Sequence, residues 1–268
     1  MMGFAIGISD IRVSWGDHHE DCLQKIHNVG PDIAVAFAGS VRFGFWATRD
    51  LRGFLEPPET DWAWSPRQVA LKWHRRARRA FTGLPDADRN LSASVMLMGV
   101  SPIEDMGIPG WARPCVSIMR SPDFFPRFLD INAVEAIGSG ASVTEFNDLL
   151  QRLEDSALTR TELETGKPGA SAESLRDAIF QILQEHPQIN ISRHIHMCVV
   201  RRGYIEIVPS NFTFVPAEGG IWSITDPEAA KLLKANSWDV RMPPVVSTWE
   251  QYEARCARNG LTAVAGSC

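Results

Sequence analysis

An aspartate, a lysine and a small glycine-bearing turn fall within the first forty residues: Asp10, Lys25 and Ala38-Gly39-Ser40. Together these groups do one kind of chemistry. A lysine ammonium held by a carboxylate polarises a hydroxyl or thiol nucleophile, and a backbone N–H at a glycine receives the oxyanion that develops when a carbonyl is attacked. Two apolar, strand-like runs, Phe4–Ile8 and Ile33–Phe37, flank the polar connection that carries Asp10, Arg12 and Lys25. Convergence of the three groups is expected only if those two runs pair side by side. The nucleophile itself is missing from the stretch. Met1, Met2 and Gly3 carry no hydroxyl or thiol, and Ser9, beside Asp10, falls in mid-strand. The bland alternative is a surface pair of Asp10 with Arg12, worth about 0–1 kcal/mol, a solvated Lys25 and an ordinary turn at Gly39.

The elements that would position these residues follow from periodicity. Ile11–Trp15 alternates as a strand, Asp17–Asp21 (DHHED) reads as a polar turn, Lys25–Val29 as a short strand, and Gly30-Pro31-Asp32 as a turn before the buried run IAVAFA. A helix is expected over Arg42–Leu55, with Phe45, Trp46 and Leu55 in its apolar stripe, stopped at Pro57-Pro58. After a loop at Asp61–Trp64, Ser65-Pro66 has the pattern of an N-cap followed by proline at the first helical position. It opens a helix over Arg67–Phe81 with Val69, Trp73, Ala77, Ala80 and Phe81 on one face and Lys72, Arg75, Arg76, Arg78 and Arg79 on the other. Strands are expected at Ser92–Val100 and Pro114–Arg120. Gly138-Ser139-Gly140 then leads into a capping box at Ser142–Glu145 and a helix with Phe146, Leu149, Leu150 and Leu153 inward. Residues 156–170 read as a linker, Ser171–Glu185 as a helix, and His194–Val200 with Tyr204–Val208 as a hairpin. Residues 209–268 read as a helical appendage, with starts at Asp226-Pro227 and at Ser247–Glu250, the latter stopping at Asn259-Gly260. Clustered strands separated by helices in pairs predict an α+β fold of antiparallel sheets covered by helices.

Residues 3–208 resemble a family. The run SDIRV, then QKI, then IAVAFAGSVRFGFWATRDL, followed by SVMLMGV, PCVSIM and EAIGSGASVTEFNDLLQRL, is similar in order and spacing to proteasome β-type subunits and their bacterial HslV-like relatives. The resemblance implies a four-layer αββα sandwich of the N-terminal-nucleophile type over residues 1–208, with 209–268 as an extension. It implies an amide-bond hydrolase, a threonine-type peptidase acting on peptide or protein substrates within a homo-oligomeric ring. It also assigns roles: Asp10 as the carboxylate that orients the lysine, Lys25 as that lysine, Gly39 as the oxyanion glycine, and Ser139 as the serine near the terminal amine. The family's nucleophile lies about one strand and one turn before the aspartate, whereas nine residues precede Asp10 here. The family's later aspartate, due before His194, has no counterpart in HPQINIS. The expectations are therefore a nucleophile supplied upstream of Met1, a catalytically inactive relative serving as a scaffold or assembly protein, or a relocated nucleophile. A small-molecule amidase or acylase of the same fold is the remaining alternative.

Composition bounds the rest. With 268 residues, 44% hydrophobic and 22% charged, the chain is large enough for a substantial core, and its net charge of −5 argues against a polyanion binder. The basic helix face reads as a solvated face or subunit contact rather than a nucleic-acid site, being balanced by 32 acidic residues. Five scattered cysteines without a CxxC pair predict reduced thiols and a cytoplasmic setting. His194 and His196 share a strand face but have no third ligand at metal spacing, and His18-His19 reads as a polar turn, so no metal or other cofactor is expected. No apolar stretch approaches the roughly 20 residues of a membrane span, and no membrane association is expected.

Overall fold

The structure, a computed structural model, describes residues 3–56, 64–101, 113–130, 133–154, 175–176, 178–179, 182–183, 190–192, 194–209, 212–215, 222–224, 231, 239–241, 245–263, 266 and 268. The stop at Pro57-Pro58, Trp62, the linker at 156–170, the helix start at Asp226-Pro227 and most of the helix expected over Ser171–Glu185 lie outside these residues.

The chain is a mixed α+β protein with antiparallel sheets. Its first strands are β1 (Phe4–Asp10), β2 (Arg12–Trp15), β3 (His18–Asp21), β4 (Ile26–Gly30) and β5 (Ile33–Gly39). Helices α1 (Val41–Leu55), α2 (Pro66–Thr82) and the short α3 (Asp86–Asn90) follow, then β6 (Ala93–Ser101), β7 (Arg113–Arg120) and β8 (Arg127–Phe128). Strands β4 to β8 form one five-stranded sheet in sequence order. A 3-10 turn at Gly138–Ser142 leads into α4 (Thr144–Glu154), and β9 (Ile195–Arg201) with β10 (Tyr204–Pro209) forms a hairpin closed at Gly203.

The two early apolar runs do not pair, contrary to the sequence expectation. β1 pairs with β9, Phe4 opposite Arg201 and Asp10 opposite Ile195, in a sheet of order β1-β9-β10. β5 lies between β4 and β6 in the other sheet. The runs meet face to face instead: Ala5 of β1, Ala34 and Ala36 of β5, Met98 of β6 and Cys198 and Val200 of β9 share one buried cluster between the sheets. The run in β5 reads as uniformly apolar because that strand is buried on both faces, whereas in β1 the buried Ala5 and Gly7 alternate with the half-buried Phe4, Ile6 and Ile8.

On the other side of β5, α1 and α2 close the main core through Phe43, Leu51, Trp73, Ala77 and Phe81, packed on Val35, Val95 and Leu97. Val143 and Phe146 of the α4 region, with Leu183, pack on Ile195 and Ile8. Trp46 stacks on Trp73, and Asp50 of α1 accepts from Trp73 Nε1 at 2.8 Å and from Arg76 Nη2 at 2.7 Å. One arginine of the basic face is therefore tied to its neighbour helix.

Three local signals take a different form in the structure. DHHED is not a turn: His18–Asp21 is β3, paired with β2 around Gly16, whose φ is +60°. A polar strand is possible here because His19, Glu20 and Asp21 are only half-buried and each has a polar partner, in Ser14, Arg255 and Arg12 respectively. Ser65 precedes α2 as expected but makes no side-chain cap; its hydroxyl meets Ser101 Oγ at 3.3 Å. Ser142 likewise spends its hydroxyl on Ser139 O, at 2.9 Å, instead of capping α4.

Residues 209–268 are not simply helical. They hold strands β11 (Phe212–Val215), β12 (Trp222–Ile224) and β13 (Asp239–Arg241) in a three-stranded sheet, then α5 (Trp249–Arg258). Nor is α5 an appendage. Tyr252 and Cys256 are buried against Val13, Trp15, Leu23 and Phe45, and Leu23 bridges to Val246. Arg255 pairs with Glu20 of β3. Thr248 caps α5 by accepting from Gln251 N at 3.3 Å. Thr248→Ala is expected to cost about 1 kcal/mol in urea unfolding, with Thr248→Ser close to neutral.

Candidate functional site

Asp10 ends β1 and Lys25 immediately precedes β4, so the gap between the two sheets brings them together. Lys25 Nζ donates to Asp10 Oδ2 at 2.8 Å, and the lysine is 4% exposed. The other carboxylate oxygen, Oδ1, accepts from Arg12 N at 2.7 Å and from Ser192 N at 3.3 Å. Three donors on one carboxylate fix its position and hence that of the ammonium. The surface alternative for Asp10 fails. The Arg12 side chain turns to Asp21 at 2.8 Å, leaving Asp10 to the lysine.

Gly39 ends β5 with φ +87°, a conformation glycine adopts at little cost. A Cβ built there would lie 2.6 Å from Ser92 O and 3.0 Å from Ala93 Cα, so the backbone of β6 closes the space as well. Ser40 then caps α1, its hydroxyl accepting from Phe43 N at 3.3 Å while donating to Asp88 at 3.2 Å. The turn is held on both sides, and its amide stands at a fixed place. That amide donates to the Cys268 carbonyl at 2.5 Å, and Cys268 N donates back to Gly39 O at 3.0 Å.

Beside these groups lies a cavity of about 180 Å³. Asp10, Lys25, Ser139 and Cys268 line it together with an apolar wall that includes Ile8, Met98 and Phe146. Gly39 is not among the lining residues, but its neighbour Ala38 is, and Gly138 packs directly on the Ala38 side chain. The structure thus gathers Asp10, Lys25 and Ser139 around one space, with Gly39 joined to it through Cys268. Polar groups at the edge of an apolar, concave space are what a small binding or reaction site requires.

Several neighbours were not legible in the sequence. Ser192, in the stretch that offered no aspartate, contributes a backbone amide, and backbone amides carry no sequence signal. Cys268 reaches the site from the far end of the sequence. Its thiol is pushed up to about 11 by burial, which outweighs the pull of Lys25, so it stays protonated at neutral pH. Ser9 Oγ is buried without a hydrogen-bond partner, so Lys25 does not serve it. Opposite Ser9 on β9 is His196. Among the described residues, no group of three His, Cys, Asp or Glu side chains is placed to hold a metal ion, and no helix is long and apolar enough to cross a membrane.

Two imidazoles give the site a pH signature. His27 and His196 are both lowered to about 4, chiefly by burial; the carbonyl of Gln24 and the charge of Asp10, respectively, oppose the shift. Each is neutral in the folded protein and takes up a proton more readily when unfolded. Stability is therefore complete above the unfolded value near 6.5 and is lost as pH falls from there towards 4. The expected slope approaches ~1.4 kcal/mol per pH unit for each imidazole. Urea midpoints measured between pH 7 and 4.5 check this, and His27→Gln is expected to flatten the profile.

No protein-family model matches the chain, and a search of curated proteins finds no matching relative.

Proposed function

We propose that this chain carries the proton-handling and oxyanion-binding half of an amide-bond hydrolase, built on a four-layer αββα sandwich of the N-terminal-nucleophile type. The observation that carries the reading is the buried Lys25–Asp10 pair at 2.8 Å, set beside a cavity and near a glycine amide fixed at positive φ. The sheet pair with helices against each supports the proposed sandwich.

The division of labour follows from the groups. Asp10 holds the Lys25 ammonium in place. The ammonium lowers the pKa of a hydroxyl or thiol brought against it, and Gly39 N–H stabilises the negative oxygen formed when that nucleophile adds to an amide carbonyl. Ser139, which lines the same cavity, takes in this reading the role of hydrogen-bonding a terminal amine that carries protons between nucleophile and leaving group. The nucleophile, a threonine, serine or cysteine, comes from a segment outside the described residues. The substrate is a peptide or protein, and the working assembly is a homo-oligomeric ring. Light scattering on the purified chain tests the ring.

The chemistry is tested by incubating the chain, purified from its native source, with a peptide aldehyde or vinyl sulfone and mapping adducts by mass spectrometry. One adduct on an amino-terminal hydroxyl or thiol, absent from Lys25→Ala, is the expected result. Intact protein without an adduct supports the second reading, an inactive scaffold on the same fold. One feature favours that reading: the Gly39 amide is engaged by Cys268.

A further inference from the structure

The engagement of Gly39 by Cys268 has the pattern of a strand, not of an isolated contact. Cys268 and Gly39 exchange both backbone hydrogen bonds, at 2.5 and 3.0 Å, and two residues further along each segment Val41 N donates to Gly266 O at 3.4 Å. Pairing of 268 with 39 and of 266 with 41 is an antiparallel register. The Cys268 thiol adds a donation to Gly39 O at 3.5 Å, and its side chain faces the cavity shared by Asp10, Lys25 and Ser139.

The approach to this position is shaped for glycine. A Cβ on Gly266 would lie 1.7 Å from Tyr252 Oη and 3.1 Å from Trp15 Nε1. Tyr252 is wholly buried on α5 and stacks on Trp15 at 5.8 Å, and Arg255 one turn later ties α5 to Glu20. The segment is therefore seated under a fixed aromatic pair, and no residue larger than glycine passes it without moving them.

We propose that Gly266 and Cys268 act as a strap that fills, in cis, the groove along Gly39–Val41 and competes with any extended chain that binds there. The Gly39 N–H is a single donor. While it serves the Cys268 carbonyl it does not serve a substrate oxyanion, so strap and substrate exclude one another. This rests on the hydrolase reading only for its consequence in turnover; occupation of the groove is tested without it.

Three forms of the chain are compared: the full chain, Gly266→Ala, and a chain lacking residues 264–268. The probe is a fluorescein-labelled peptide of residues 261–268, read by anisotropy. It is expected to bind the shortened chain and to bind the full chain at least about tenfold more weakly, because there it must displace the covalently tethered copy. Iodoacetamide modification of Cys268, mapped by mass spectrometry, is expected to be about tenfold faster in Gly266→Ala than in the full chain, as a lifted strap exposes the thiol. Adding Tyr252→Phe to Gly266→Ala removes the colliding oxygen and is expected to slow modification again, which separates strap release from general unfolding. Equal peptide binding to the full and shortened chains, or equal Cys268 modification in the full chain and Gly266→Ala, overturns the strap. Fluorogenic amide turnover is read in parallel. Faster turnover by the shortened chain supports the blocking role, and unchanged turnover contradicts it. Absence of turnover in both chains counts against the hydrolase reading while peptide binding still decides the strap.

Discussion

If the proposed hydrolase reading holds, replacing Lys25 by alanine is expected to lower amide turnover by about three orders of magnitude or more, because in that reading the ammonium acts with the nucleophile as a unit. The same change acts on the fold. Lys25 is 4% exposed, and without the ammonium its partner Asp10 retains the Arg12 and Ser192 amides but no longer the charge that balances it. Removing one member of a buried pair strands the other, and a loss of roughly 3 kcal/mol is expected in urea unfolding. The two effects separate by a control. Lys25→Met combined with Asp10→Asn removes both charges while roughly keeping their volume, so much of the stability returns, but turnover does not. A double variant that regained turnover would show that the pair serves only the fold.

The second large effect is expected at Gly39. An alanine there takes a positive φ, at roughly 1–2 kcal/mol. Its Cβ also lies 2.6 Å from Ser92 O, and the atom it meets is backbone at the start of β6, not a yielding side chain. Overpacking against a fixed neighbour adds roughly 1–3 kcal/mol, for a total loss of about 2–5 kcal/mol in urea unfolding. Displacement of the 39–41 segment also releases Gly266 and Cys268, so Cys268 modification is expected to accelerate in Gly39→Ala. A Gly39→Ala chain as stable as wild type, with Cys268 still slow to react, would mean that the turn adapts and that its amide is not held in place by the packing described above.

The residues that could be read from the sequence are those whose signal is local. The run Ile33–Phe37 is apolar throughout because both faces of its strand are buried, and α2 shows its core face at Val69, Trp73, Ala77 and Phe81. What was lost is long-range pairing. Nothing local in Phe4–Ile8 says that its partner is the strand ending at Arg201 rather than Ile33–Phe37. DHHED has the polarity of a turn, yet His18–Asp21 pairs as a strand because a half-buried hairpin satisfies its polar side chains. The site divides in the same way. Asp10, Lys25 and Ser139 carry polar side chains whose types can be singled out in the sequence, and they line one cavity. Ser192 acts through a backbone amide, and Cys268 through its place at the end of a path set by α5, so neither has a sequence signature. The expected pairing of β1 with β5 was wrong, yet Asp10 and Lys25 still meet, because facing sheets bring strand ends together as effectively as adjacent strands do.

In the proposed reaction the Lys25–Asp10 pair activates a nucleophile at an amide carbonyl. Release of fluorophore from a panel of peptide amides by the chain purified from its native source, beside Lys25→Ala prepared in the same way, tests it most directly. Steady turnover by the native chain that falls by about three orders of magnitude in the variant is the predicted result. Turnover that survives in Lys25→Ala, or a native chain of verified mass that releases nothing from any peptide even with residues 264–268 removed, would contradict it.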